Sequence, residues 1–131
     1  MDYYILTNNK LVLETYSKTH NVRFVECGLK EILSTAGKFI EDGDILLTHP
    51  MYGSVKPNET PYRSMLLQPA GRNPGSGFPP IDFESARLVQ SAIEATEKFL
   101  FKKEFTDPQL IDDLQVVDLS LLSSAIASAD M

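Results

Sequence analysis

The sequence predicts an α/β fold: a single three-layer domain with a mainly parallel four-stranded sheet flanked by helices, Rossmann-like and with strand order 2-1-3-4. Three observations carry that expectation. Over residues 1–48, short apolar runs alternate with helical stretches as βαβαβ, the pattern of a parallel sheet covered by helices. A fourth apolar run, Ser64 to Gln68, can extend that sheet. A chain of 131 residues has the length of one domain, 1–131, with its own core.

The elements follow in order. "YYIL" at 3–6 runs into Thr7-Asn8-Asn9, a strand followed by a helix N-cap. Leu11, Val12 and Tyr16 then share one face of a short helix over 10–18. "NVRFVEC" at 21–27 alternates as a second strand. From Leu29, the residues Ile32, Leu33, Ala36, Phe39 and Ile40 fall at helical spacing, and Gly43 marks the helix end. "DILLT" supplies a third strand at 44–48. No helix precedes the fourth strand, so its direction stays open, either parallel after a crossover or antiparallel at an edge.

Residues 69–81 hold "PAGRNPGSGFPP", a flexible Gly/Pro-rich loop without the spacing of a dinucleotide fingerprint. Asp82 caps the next helix, expected to run to about Lys103 with Ala86, Val89, Ile93, Thr96 and Leu100 in one stripe. Thr106-Asp107-Pro108 opens a C-terminal helix over 107–128. Its expected apolar face is Leu110, Leu114, Val117, Leu121 and Ala125, widened by Ile111, Leu122 and Ile126. Val116 and Leu119 fall on the other side. A helix this apolar is either well buried or part of a subunit contact, so the chain is expected as monomer or homodimer.

Composition narrows the function. A net charge of −6 and a pI near 4.8 argue against nucleic-acid binding, which needs a basic stripe. The apolar runs are far shorter than the roughly 20 residues that span a bilayer. The first residues carry no basic n-region, and Cys27 is the only cysteine. A cytoplasmic protein is the expectation, with Cys27 structural. Neither His20 nor His49 has metal-ligand spacing, so no metal site is expected. Nothing in the residues names a cofactor.

The stretch "ILLTHPMYGSVKPNETPYRSMLL", residues 45–67, concentrates the chemistry. In a parallel sheet of order 2-1-3, the crevice lies outside the carboxyl ends of strands 1 and 3. Thr7-Asn8-Asn9 would then face Thr48-His49-Pro50, with the helix N-terminus behind Asn8 and Asn9 as an anion site. His49 is the candidate proton-transfer residue, since imidazole titrates near neutrality. Lys56 and Arg63 would hold a carboxylate or phosphate that Asn58, Glu59 and Thr60 orient. Gly53-Ser54 permits close backbone approach but lacks the rest of a P-loop. The bland alternative is a pair of proline turns with Asn8 or Asn9 as a plain N-cap.

The segment "LLTHPMYGSVKPNETPYRS" closely resembles the signature of the GrdX-like family, small proteins associated with glycine reductase gene clusters of amino-acid-fermenting anaerobes. "ILTNN" and "DLQVVDLSLLSSAI" resemble that family's two ends, so the likeness spans nearly the whole chain. Thr48, His49, Pro50, Gly53, Ser54, Lys56, Pro57, Asn58, Glu59, Thr60 and Tyr62 match the motif. Met51-Tyr52 stands where members commonly have Leu-Ser, and the 69–80 segment is longer than in the family.

The resemblance implies a cytoplasmic accessory or regulatory protein of amino-acid fermentation, with glycine reductase components among its partners. Combined with the residues, it yields three expectations. The first is binding of a small anionic metabolite at loop 48–63. The second is an enzyme with His49 as acid/base, and the third is a protein that docks on a reductase subunit.

Overall fold

A computed structural model describes residues 2–50, 60–70, 80–98 and 106–131. The elements are β1 (Tyr4–Thr7), α1 (Lys10–Tyr16), β2 (Val22–Phe24), α2 (Leu29–Glu41), β3 (Ile45–Leu46), β4 (Ser64–Gln68), α3 (Phe83–Lys98) and α4 (Pro108–Ala129). Local chemistry sets many of their ends. Asn9 caps α1 by accepting from Leu11 N–H, and Asp107 does the same for Gln109 ahead of Pro108 in α4. Gly43 closes α2 at φ 103°, a left-handed conformation that a side chain disfavours. Asp82 accepts from the Ser85 N–H and hydroxyl at the start of α3. The last residues expected in this helix, 99–103, and most of the 69–81 loop lie outside the described residues.

The sheet is mixed, which corrects the mainly parallel, Rossmann-like expectation. Its order is β2-β1-β4-β3. Only β1 and β2 pair in parallel, while β4 is antiparallel to both β1 and β3. A parallel crossover needs a long connection, usually a helix, and the sequence between β3 and β4 carries no helical pattern. The chain reverses instead, and β4 enters between β1 and β3. Its composition suits the slot, because Met65, Leu66 and Leu67 are all essentially inaccessible, as in a strand covered on both faces. β3 is the short edge, with Ile45 exposed.

Side-chain alternation divides the core into two. Tyr4, Leu6, Met65, Leu67 and Leu46 point to one face and pack with α2 and α3 through Leu29, Ile32, Leu33, Ala36, Ile40, Val89 and Ala92. Ile5 and Leu66 point to the other and pack with Val12 of α1 and with Leu122 and Ile126 of α4. Helices thus cover both faces of a mixed sheet. Arg23 of β2 stacks its guanidinium 3.7 Å from the Tyr4 ring centroid, a cation–π contact at the sheet's edge.

The buried line of α4 is Asp118, Leu122 and Ile126. It is rotated from the expected face: Val117 is exposed, as is Val116, and Leu119 packs towards the core. A 22-residue helix with apolar side chains around much of its girth does not declare its buried line by periodicity. The sheet beneath it selects that line. Among the described residues, no helix is long and apolar enough to cross a membrane.

Candidate functional site

Two features lie along the chain's most polar stretch. The first is a buried polar cluster at the carboxyl end of β1. Thr7 and Ser64 are register partners on the face that α4 covers, and their hydroxyl oxygens are 2.7 Å apart. Ser64 donates to Asp118 Oδ2 at 2.6 Å. Asn9, besides capping α1, donates from Nδ2 to Asp118 Oδ2 at 3.0 Å and to the Gln115 carbonyl at 2.9 Å. One carboxylate therefore joins α4 to β4 and to the start of α1.

Asn8 organises the other side. Its Nδ2 donates to the carbonyls of Cys27 and Pro61, and its Oδ1 accepts from Arg63 N–H at 2.9 Å. Three separate chain segments meet on this carboxamide. Arg63 is 1% exposed and Asp118 3% exposed. Burial pushes the Asp118 carboxyl above the usual aspartate range, against the opposing pull of Ser64, Asn9 and the Arg63 charge. Thr60, also buried, accepts from Tyr62 N–H through its hydroxyl. Gln115 Nε2 donates to the Tyr62 hydroxyl.

The second feature is an open cleft of about 410 Å³ between the C-terminal half of α4 and the end of β3. Leu47 and Leu66 form its apolar base, Ala125, Ser128 and Ala129 its helical wall, and Thr48 and His49 its rim. The hollow exists because the helix offers only small side chains there. Thr48 Oγ1 accepts from Leu66 N–H at 3.3 Å, fastening the rim to β4. His49 is exposed and lies close enough to Glu84 for its charge to help hold that carboxyl low, after the larger effect of Arg87.

The expected site is thereby divided. Thr7, Asn8, Asn9 and Arg63 come together, with Thr60 buried near the same chain turn. Thr48 and His49 line the cleft. The two tripeptides do not face each other across a crevice, because β4 lies between β1 and β3. At the start of α1, a helix of seven residues, Asn9 accepts from Leu11 N–H as a plain N-cap. Gly53, Ser54, Lys56, Asn58 and Glu59 lie outside the described residues. Sequence reasoning missed Ser64, Gln115 and Asp118. The available signal was a lone carboxylate on the line 118, 122, 126.

Cys27 is half-buried, and burial together with the nearby Glu31 charge pushes its thiol up. That makes it a poor nucleophile. Among the described residues no group of three or more His, Cys, Asp and Glu is placed to hold a metal ion.

Fold and site define an α/β protein with helices on both faces of a mixed sheet, whose central strand β4 contributes Ser64 to a buried polar cluster and Leu66 to the base of an open cleft. The GrdX-like protein family model matches residues 4–127, and the chain belongs to that family. No curated protein and no solved structure matches it.

Proposed function

We propose that this chain is an accessory or regulatory protein of glycine reductase, or of a related amino-acid-fermenting system, that binds a small anionic ligand where the 48–63 segment leaves β3. Family membership supports the setting, through the family's association with glycine reductase. The cleft at Thr48 and His49 is the observation that carries the binding. Its volume falls within the range of small-molecule sites, which pair apolar walls with a few polar groups. A carboxylate accepting from the His49 imidazole would place a short apolar body against Leu47, Leu66 and Ala125. The buried cluster supports this reading from below, since Asn8 and Arg63 anchor the far end of the same segment.

Thermal unfolding with acetate, butyrate, glycine and inorganic phosphate tests this. A probe present at a hundred times its Kd stabilises by about 2.7 kcal/mol. His49→Gln and Ala125→Leu, which fills the cleft, are expected to abolish that stabilisation. Stabilisation by none of the four, or stabilisation untouched by both substitutions, would sink the proposal. An acid–base enzyme would instead lose turnover in His49→Gln while keeping the ligand response.

A further inference from the structure

The two faces of α4 differ in kind. The inner line of Asp118, Leu122 and Ile126 closes the core. The outer face carries Val116 at 55% and Val117 at 43% exposure, and neither belongs to either core cluster. Ser120, Ser124 and Ala127 continue from Val117 at three- and four-residue steps, all exposed, with half-buried Leu121 beside them. We propose that this face is the contact between two copies of the chain, paired through α4 about a twofold axis.

Charge selects the occupant. The chain is 23% charged, yet from Leu114 to Ala129 its only charged residue is Asp118, which is buried. A basic partner would find no carboxylate on this face. A second copy carries the same net charge of −6, so it meets least repulsion where neither surface is charged. Loss of charged residues around apolar side chains also marks the core of a subunit contact.

Local chemistry suits a covered face. The Ser124 hydroxyl donates to the Ser120 carbonyl at 3.3 Å, so that donor keeps a partner when water is excluded. Small side chains at 120, 124 and 127 let two helices approach closely, and the valines supply apolar area beside them. A twofold contact must be self-complementary. With the axis near Ser120 and the helices antiparallel, Val117 of each copy lies beside Ser124 of the other. A parallel pairing would instead set the two exposed Asp112-Asp113 pairs against each other. The cleft takes Ala125, Ser128 and Ala129 from α4, and the dimer face takes none of them, so pairing needs no ligand.

Sedimentation velocity of the full chain, over a concentration series up to the millimolar range, tests this. The mass is expected to rise with concentration from 14.6 kDa towards twice that value. Val117→Glu and Ser124→Lys each bring a charge onto the face, and each is expected to hold the chain monomeric with an unchanged circular dichroism spectrum. Mixed in equal amounts, the two variants are expected to recover the dimer, because the antiparallel pairing sets their opposite charges side by side. A wild-type chain that stays monomeric throughout overturns the proposal and leaves the face to a different partner. A dimer that survives both substitutions has its contact elsewhere and overturns it equally.

Discussion

Thr7 and Ser64 stand opposite each other in the β1–β4 register with their hydroxyl oxygens 2.7 Å apart. Ser64 gives its proton to Asp118 Oδ2, so Thr7 must donate to Ser64, and Thr7 Oγ1 in turn accepts from Asn9 N–H. The result is a one-way chain from backbone amide to carboxyl, in which each bond polarises the next.

Thr7→Val keeps the shape of that side chain and breaks the chain in the middle. It leaves the Asn9 amide without its acceptor and Ser64 without its donor. A loss of about 1–3 kcal/mol is expected from such buried, unsatisfied groups. Urea unfolding at neutral pH measures it, and a change within 0.5 kcal/mol, roughly that of a bland surface substitution, would contradict the chain.

Asn8→Ala should cost more. The carboxamide holds Cys27 O, Pro61 O and Arg63 N–H, so three backbone groups lose a partner at once. About 3 kcal/mol is expected from three such bonds. Asn8→Asp retains the acceptor for Arg63 but sets a carboxylate oxygen against the Cys27 and Pro61 carbonyls, and should cost at least as much as Ala in the same urea series.

Tyr3 reports on the chain's end. Its phenol donates to Asp130 Oδ1 at 2.8 Å, and burial followed by that carboxylate pushes its pKa up to about 12. The folded state thus holds the phenolic proton more tightly than the unfolded chain, whose value is near 10. The stabilisation is complete below pH 10 and is lost as the pH rises from there through about 12. Tyr4 is pushed up as well, by burial and its bond to Asp44, so absorbance titration near 295 nm should show late-titrating tyrosine signal that falls by one group in Tyr3→Phe and moves in part to lower pH in Asp130→Asn.

Gly43→Ala tests the end of α2. At φ 103° a Cβ is disfavoured, and a loss of about 1 kcal/mol is expected. Thermal unfolding would read it as a lower midpoint. An unchanged or raised midpoint would mean that the turn relaxes without strain.

The parts legible in the sequence were those governed by neighbours along the chain. Asn9, Asp107-Pro108 and Gly43 announce helix ends because caps act over two or three residues. Leu29 to Ile40 announce a buried helical face because one turn repeats every 3.6 residues. The 45–67 stretch stood out by composition, and the likeness it carries holds over residues 4–127. The sheet was a different matter. Whether β4 lies at an edge or between β1 and β3 depends on partners far away in sequence, and a run such as Met65-Leu66-Leu67 fits either.

Asp118 was illegible for the same reason. Periodicity counts apolar residues, and a carboxylate on α4 reads as solvent-facing until the sheet turns that line inward. Residues close together along the chain set the elements and their caps, and the motif they carry placed the chain in its family. The tertiary structure alone decided which strand separates Asn8 from His49, and that Asp118 closes on Ser64. Local backbone preferences specify elements, whereas strand order and helix rotation come from burying two faces of one sheet at once.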